Sequence, residues 1–269
     1  MLKQPPPWTA DPVLHDYSFC HNYRWQDRGT KFTIENILTL PNPIDRVFVT
    51  VFYRLFNRPE TIQSLGLENI INYDRKRITT ALLKLQEKDQ RVFSPAYMTS
   101  AITTSGPGGK IKEYCKVLQS VYRQRTALTA ELKTCDNMKS AWETIKQIKW
   151  AGPFIGYQMV LDLNYDPYFK WPEDDWVYPG PGAQRGVNRL LKKPLKKQED
   201  FVTAIRGLAL APICYPISIG MAIFKYPTDS KGNYIFMNNH DVEFALCEFS
   251  KYQRIKDGGK RTRRFVPRS

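Results

Sequence analysis

Residues 150–165 constrain the fold more than any other stretch, because they form a predicted helix that is apolar on nearly every side. Between positions 153 and 165, only Gln158, Asp162 and Asn164 interrupt the apolar character. A helix that is apolar all round belongs in a protein interior and must be surrounded by other elements. A Gly-Pro pair marks the turn where it begins. We therefore predict a buried helix against which other parts of the chain pack.

The remaining sequence shows helical spacing and few strand signals. Val47, Val51 and Leu55 recur at every fourth position and would share one helix face, although β-branched residues would also suit a strand. Asn238 and Asn239 are typical N-cap residues for a last helix. We predict an all-α helical bundle with helices at 44–57, 59–65, 74–88, 110–133, 138–147, 150–165, 183–192, 198–210, 213–223 and 240–254.

The composition also suggests how the chain is organised. Residues 1–12 are proline-rich and are expected to form an extended lead-in. Residues 13–255 are expected to form one helical domain, as a single body or as two lobes, and 256–269 a basic tail. Residues 32–40 form a short apolar segment, and 166–182 a long loop rich in proline, glycine and tryptophan.

The charge of the chain predicts a polyanionic partner. The net charge is +14 and the sequence pI is near 9.5, which is the electrostatic pattern of a nucleic-acid binder. The charge is clustered: residues 251–269 hold eight Lys or Arg, and Lys192-Lys193-Pro194-Leu195-Lys196-Lys197 holds four lysines. DNA is therefore the expected partner. The alternative is that the charge only keeps the protein in solution.

Several classes of protein are disfavoured by the sequence. The apolar stretch 201–224 is interrupted by Arg206 and by prolines, and the N-terminus has no apolar signal-like run, so we expect an intracellular protein without a membrane partner. Five scattered cysteines without a CxxC pair predict reduced thiols, and the three histidines show no zinc spacing. Gly106 to Lys110 fails as a P-loop, because Thr104 replaces the first glycine and Ile111 the Ser/Thr. No metal and no cofactor are expected.

The Gly152–Gly156 turn is a candidate phosphate-binding element. Glycines at the start of a helix let backbone amides approach a phosphate, and the helix N-terminus favours the anion. The turn is similar to that of helix–hairpin–helix DNA-binding proteins. The alternative is a tight turn between two packed helices.

Gln158 and Asp162 are four residues apart on the predicted buried helix and so share one face. A carboxylate on such a helix is costly unless it is paired or functional. Asp162 is therefore a candidate for the wall of an active site. The alternative is a structural ion pair, for example with Arg24 or Arg54.

Two further segments carry candidate chemistry. In the last helix, His240, Glu243, Cys247 and Lys251 form a polar stripe, and the His–Glu pair could transfer protons. The alternative is a helix with one solvated side. The loop 174–186 offers aromatics for stacking, glycines for close backbone approach and Arg185 for an anion.

Six segments, taken in their order, carry a family resemblance. They are Pro7-Trp8-Thr9-Ala10-Asp11-Pro12; Asn22-Tyr23-Arg24-Trp25-Gln26-Asp27-Arg28-Gly29-Thr30; Tyr53-Arg54-Leu55-Phe56-Asn57; Gly152-Pro153-Phe154 with Gln158 and Asp162-Leu163; Gly180-Pro181-Gly182-Ala183 with Arg185-Gly186; and Asp241-Val242-Glu243 with Leu246-Cys247-Glu248-Phe249 and Lys251-Tyr252. The chain thereby resembles the α-glutamyl/putrescinyl thymine pyrophosphorylases, or amino acid:DNA transferases. It equally resembles the helical domain of 5-hydroxymethyluracil DNA kinases.

The resemblance implies a helical fold distantly related to DNA glycosylases. It also implies a substrate, DNA containing 5-hydroxymethyluracil or its phosphorylated form. In the transferases, an amine co-substrate, either an amino acid or a polyamine, displaces (pyro)phosphate from the 5-methylene carbon of the base. In the kinases, a separate P-loop domain phosphorylates the hydroxymethyl group. The failed P-loop match, and the little chain left for one, favour the transferase or a kinase subunit whose catalytic domain is encoded separately.

Candidate roles follow from this reading. Displacement of phosphate needs cations at the leaving group and a base for the amine. The candidates for proton transfer and amine binding are Asp162, His240 and Glu243. The candidates for binding phosphate and DNA are Arg24, Arg28, Arg54, Gly152, Gly156, Arg185 and Lys251. The candidates for the substrate pocket are Asp27, Asn57, Tyr97, Gln158 and Gly182.

Two alternatives to amine transfer are kept. The first is a non-catalytic helical domain that binds DNA and presents 5-hydroxymethyluracil to a separate P-loop kinase. The second is a base-excising glycosylase. Asp174 and Asp175 lie at a spacing beyond the hairpin comparable to that of glycosylase catalytic aspartates, but the surrounding sequence differs, and we assign them no role.

Overall fold

The regular elements of the computed structural model are helices. The structure describes residues 9–95, 106, 108–173, 176–214, 227–233 and 235–259, and no strand occurs among them. The α-helices are α1 (Pro12–Asp16), α2 (Arg28–Phe32), α3 (Pro43–Phe56), α4 (Pro59–Leu65), α5 (Leu67–Ile71), α6 (Arg75–Glu87), α7 (Gly109–Thr134), α8 (Met138–Ile145), α9 (Gly152–Asn164), α10 (Pro181–Leu191), α11 (Gln198–Cys214) and α12 (Asn239–Lys256). The predicted all-α class is confirmed.

The chain divides into two compact units. Unit 1 combines residues 1–27 with 176–269, and unit 2 is residues 28–175. Unit 1 therefore brings the N-terminal segment together with α10, α11 and α12. Unit 2 contains α2 to α9 and the hairpin between α8 and α9.

The core of unit 2 is built on α3, which packs against α7 and α9. Its residues from Val47 to Phe56 are all buried. Aromatic rings fill the space around it: the Phe48 ring lies edge-on to the rings of Phe52, Tyr73 and Tyr122, at centroid distances of 6.4, 5.5 and 5.1 Å. Large rings in this geometry combine apolar burial with favourable edge-to-face contacts.

The predicted buried helix is confirmed as α9. Every residue from Ile155 to Leu163 is buried, including the polar Gln158 and Asp162. It packs against both α3 and α8. The apolar pattern on all sides of this segment is therefore explained, because it has neighbours on more than one face.

In unit 1, α10 lies directly on α12. A Cβ atom at Gly186 would stand 2.2 Å from the backbone oxygen of Leu246, and one at Gly182 would stand 2.3 Å from Sγ of Cys247. Because these two positions lack side chains, the backbones of α10 and α12 can come into contact.

A capping box closes the first turn of α12. The side chain of Asn238 accepts hydrogen bonds from the amides of His240 and Asp241, and the Asp241 carboxylate accepts one from the amide of Asn238. The predicted N-cap of the last helix is confirmed.

Some predicted boundaries are wrong. Residues 198–214 form one helix, so the predicted break after 210 does not occur, and the rest of the predicted helix 213–223 lies outside the described residues. The apolar segment 32–40 contains the end of α2 and a π-helical turn, Thr33–Ile37. The short helices α1, α2 and α5 were not predicted, because five residues are too few to show a period.

None of the described helices combines the length and the apolar character needed to cross a membrane.

The close contact between α10 and α12 gives a test of the fold. We expect Gly186→Ala to lower the free energy of unfolding by roughly 1–3 kcal/mol, because the new methyl group meets rigid backbone. The matched control is Gly207→Ala in α11, where a Cβ meets nothing within 4 Å; there we expect a gain of about 0.5–1 kcal/mol from helix propensity. Urea unfolding followed by circular dichroism measures both. A loss at both positions, or at neither, would contradict the packing of α10 on α12.

Candidate functional site

A buried ion pair lies at the centre of unit 2. The guanidinium of Arg54 binds Asp162 through both oxygens, with Nε to Oδ2 at 2.6 Å and Nη2 to Oδ1 at 2.5 Å. The two side chains are 1% and 0% exposed. Thr33 Oγ1 donates to Asp162 Oδ2 at 3.1 Å, and Arg54 Nη1 donates to Asn57 Oδ1 at 2.9 Å. The structure therefore realises the ion-pair alternative for Asp162.

This pair limits what its members can do for a substrate. A guanidinium whose fork is filled by a buried carboxylate has no open edge for a phosphate, and the carboxylate is equally engaged. Gln158 is buried nearby on the same helix, at 2% exposure. The catalytic role of Asp162, the phosphate role of Arg54 and the pocket role of Asn57 and Gln158 stay predictions.

The turn between α8 and α9 has the shape of a tight hairpin. The amides of Ile148 and Ala151 each bond to the carbonyl three residues back, at 3.0 Å. A Cβ at Gly156 would lie 3.3 Å from the Cα of Lys146, so this glycine lets α9 pack on the hairpin. Gly152 has a φ of +58° and open space where a Cβ would be, and the N-terminus of α9 lacks a side-chain cap. Gly156 thus has a packing role, while Gly152 leaves the helix start open. The helix–hairpin–helix identity of this turn stays a prediction.

In unit 1 a carboxyl group is buried without an ion pair to any described residue. Glu243 is 5% exposed, and the amide of Gly180 donates to its Oε1 at 3.0 Å. Burial raises the pKa of Glu243 to about 7, against the opposing effects of the Gly180 hydrogen bond and the Arg24 charge. A carboxyl group with such a pKa can take up or release a proton near neutral pH.

Arg24 forms part of the same buried region. It is 1% exposed, and its guanidinium lies over the ring of Phe244 at 5.0 Å. Its backbone amide donates to Oδ1 of Asp241 at 2.6 Å. Asp241 thereby holds the N-terminal segment of unit 1 against the start of α12. Nothing in the spacing of Asp241 indicated a partner more than two hundred residues away.

The polar stripe of α12 is only partly what the sequence suggested. His240 and Glu243 are 3% and 5% exposed, so the alternative of one solvated side is wrong for these two residues. They are buried because other parts of unit 1 cover the start of α12. Cys247 and Lys251, further along, are half-buried. The Lys251 ammonium donates to the backbone oxygen of Ser18 at 2.8 Å and to Glu248 at 3.0 Å.

The remaining predicted residues lie at several places. Arg185 is exposed on α10, and Gly182 lies against Cys247, whose pKa burial raises to about 11. In unit 2, Arg28 is exposed and bonds to Glu60 at 2.5 Å. Asp27 is half-buried after the 3₁₀ turn Arg24–Gln26. Tyr97, Asp174 and Asp175 lie outside the described residues.

Unit 1 thus brings together the side chains of Arg24 and Glu243 with the start of α10, where Gly180 and Gly182 lie. No group of three or more His, Cys, Asp or Glu side chains suited to a metal ion occurs within the described ranges. The chemistry available in this region is proton transfer at a buried carboxyl group, next to a buried guanidinium.

Comparison with known proteins places the chain in a family. Residues 1–261 match the model of the "5-hmdU DNA kinase, helical domain". The chain belongs to this family. A 5-hmdU DNA kinase of Bacillus phage SP10 is 26% identical over 200 residues, which cover 67% of this chain and 31% of that protein. The chain thus corresponds to about a third of the length of this relative. No solved structure matches it. The resemblance to the helical-domain superfamily is confirmed, and the more distant kinship with glycosylases stays a prediction.

The buried ion pair predicts a large loss of stability when one partner is removed. We expect Asp162→Asn to lower the free energy of unfolding by about 3–5 kcal/mol, because the Arg54 charge stays buried without its counter-charge. Glu60→Gln, which breaks the exposed pair with Arg28, is the matched control and should cost about 1 kcal/mol or less. Chemical unfolding measures both. Equal losses for the two variants would contradict the burial of the Arg54–Asp162 pair.

The raised pKa of Glu243 predicts a pH-dependent stability. Because the folded pKa is about 7 and the ordinary value is 4.5, the folded state binds the proton more tightly than the unfolded state. The contribution of Glu243 to stability is therefore greatest below pH 4.5 and declines as the pH rises to 7, by roughly 3 kcal/mol in all.

Glu243→Gln removes this dependence and keeps an acceptor for Gly180. We expect the difference in unfolding free energy, variant minus wild type, to increase by roughly 3 kcal/mol between pH 4.5 and pH 8. Thermal or urea unfolding at a series of pH values measures it. A difference that does not change with pH would rule out a buried, proton-binding Glu243.

Proposed function

We propose that this chain is a DNA-binding domain of thymine hypermodification, which engages DNA carrying 5-hydroxymethyluracil or its phosphorylated form. The observation that carries the proposal is the match of residues 1–261 to the helical domain of 5-hmdU DNA kinases. The relative from phage SP10 bears the name of such a kinase. The net charge of +14 adds support, because phosphate contacts dominate the affinity of proteins for DNA.

The phosphotransfer step is assigned to a P-loop domain other than this segment, in the same or in a separate polypeptide. Gly106 to Lys110 departs from the P-loop pattern at both Thr104 and Ile111. A P-loop kinase outside these 269 residues would then add phosphate to the hydroxymethyl group, while this domain holds the DNA. The 5-substituent lies in the major groove of a stacked duplex, so a pocket that handles it has to turn the nucleotide out of the stack.

One observation favours a second candidate, amine transfer by this chain itself. Glu243 combines burial with a pKa of about 7, which suits a general base for an amine. In the reaction, the amine nitrogen forms a bond to the 5-methylene carbon of the base, and the bond from that carbon to the phosphate oxygen breaks. The amine proton passes to Glu243 and (pyro)phosphate leaves. Arg24, whose charge acts on Glu243, and the exposed Arg185 would balance the charge of the leaving group.

Binding to modified duplexes tests the first candidate. Three duplexes that differ at one base, thymine, 5-hydroxymethyluracil or its phosphate, are titrated with the protein and followed by fluorescence anisotropy. We expect a modified base to tighten binding by roughly ten-fold or more, as for one recognised base pair. Equal affinity for all three would leave only a general DNA binder and would contradict the proposal.

Mass spectrometry of nucleosides tests the second candidate. DNA with phosphorylated 5-hydroxymethyluracil is incubated with the protein and a mixture of amino acids and polyamines, then digested. An amine-bearing thymidine is expected if the chain is a transferase, and Glu243→Gln should lower its yield by about 10²–10⁴-fold. Glu199→Gln, an exposed carboxylate at the start of α11, is the control and should leave the yield unchanged. Unchanged DNA in the presence of wild-type protein that binds it would eliminate amine transfer and leave the binding domain.

A further inference from the structure

Four lysines follow α10 in a short connection that we call the lysine loop, residues 192–197. The lysine side chains of this loop are exposed, and none forms an ion pair with a described residue. Arg189, one turn earlier, differs, because its guanidinium is paired with Asp257 at 2.6 Å. The loop therefore concentrates positive charge that the described parts of the protein do not neutralise.

The loop is held in one shape despite its charge. The side chain of Asn188 bonds to both backbone groups of Leu195: its Oδ1 accepts the amide at 2.8 Å, and its Nδ2 donates to the carbonyl at 3.5 Å. The amide of Lys193 donates to the Asn188 carbonyl at 3.3 Å. The lysines thus project from a backbone that is tied to the end of α10, rather than from a free linker.

Lys192 occupies a backbone conformation that a lysine does not favour. It ends α10 with a φ of +51°, in the left-handed region where glycine and asparagine are the usual residues. Asn57 ends α3 in the same way, with a φ of +50°, and its side chain accepts a hydrogen bond from Arg54 inside unit 2. The Lys192 side chain is exposed and forms no such bond with described residues. Its ammonium group is therefore available to a partner outside the protein.

We propose that the lysine loop binds the phosphate backbone of duplex DNA. This inference rests on the proposed function and adds to it a surface on unit 1. Lysines act as point charges toward phosphates and need no fixed geometry at each contact. The loop contains no aromatic residue, whereas surfaces for single strands combine positive charge with aromatic rings for stacking. Contacts from this loop would therefore position the duplex and would not depend on base identity.

The exposed leucines beside the loop define the competing partner. Leu190 and Leu191, in the last turn of α10, are each 45% exposed. Cations next to apolar side chains also occur on helices that lie on anionic membranes, but such helices present a long apolar face. Here the face of α10 that carries Ala183, Gly186 and Val187 is buried instead. The duplex is the partner that these observations favour.

The decisive variant changes all four lysines, at 192, 193, 196 and 197, to glutamine. Each lost phosphate contact lowers the slope of log affinity against log salt by about 0.9, so two to four contacts predict a reduction of roughly 2–4 and a loss of affinity on the order of 10²-fold at 0.1 M salt. The loss should be equal for a thymine duplex and for a duplex with 5-hydroxymethyluracil. Anisotropy titrations at several salt concentrations measure it, and circular dichroism verifies the fold.

A matched control removes the same charge elsewhere. The substitutions Arg75→Gln, Lys76→Gln, Lys84→Gln and Lys88→Gln neutralise four exposed cations on and just after α6 of unit 2. We expect this variant to keep most of the affinity and of the salt slope. An equal loss in both variants would show that net charge alone matters and would overturn the inference.

Lys192→Gly separates a binding role from a structural role. Glycine suits the left-handed conformation, so we expect an unchanged or higher midpoint of thermal unfolding together with a salt slope reduced by up to about 0.9. Lower stability with unchanged DNA affinity would overturn the inference, as would binding of the loop to phosphatidylserine vesicles in place of DNA.

The other measurements separate the inference from the proposed function. Wild-type affinity in the quadruple lysine variant would overturn the inference and leave the proposed function standing. Failure of the wild-type protein to bind any duplex would overturn both the proposed function and the inference. Equal binding of the three duplexes would overturn the proposed function and leave the contact between the lysine loop and the DNA backbone standing.

Discussion

The arrangement of unit 2 depends on a buried ion pair between Arg54 and Asp162. Withdrawing two charges from water costs several kcal/mol for each ion, so the pair is tolerable only with close geometry and further hydrogen bonds. Here both carboxylate oxygens are bound by the guanidinium, and Thr33 and Asn57 occupy further positions on the two groups. Because the pair joins α3 to α9, it fixes the register of the two helices at the centre of the core.

In unit 1, the buried carboxyl group of Glu243 has different surroundings from those of Asp162. The backbone amide of Gly180 donates a hydrogen bond to Glu243 at 3.0 Å, and Arg24 contributes through its charge. These groups do not offset the cost of burial, so the pKa of Glu243 increases to about 7. The guanidinium of Arg54 occupies both oxygens of Asp162, whereas Glu243 forms no ion pair with a described residue and has a raised pKa. This contrast is the physical reason for placing the candidate chemistry at Glu243.

The sequence predicted the features that depend on local pattern. The burial of α9 followed from its apolar character on all sides, and the cap of α12 from the asparagines before it. The difference in environment between the buried carboxyl groups of Asp162 and Glu243 could not be predicted. It depends on whether an arginine reaches the carboxylate, and Arg54 lies 108 positions from Asp162 in the chain. The burial of His240 was missed for a similar reason, since the segments that cover it are distant in sequence.

Left-handed backbone conformations occur at several described residues that are not glycine, and they are most costly for large side chains. Asn57 tolerates the left-handed region because its side chain is short and polar, and its amide oxygen serves Arg54. Trp150, with a φ of +71°, and Lys192 bear large side chains there, at a cost of about 1–2 kcal/mol each. Both stand next to helix ends, one at the hairpin before α9 and one at the lysine loop. A glycine would form either turn at lower cost, so turn formation alone does not account for the tryptophan or the lysine.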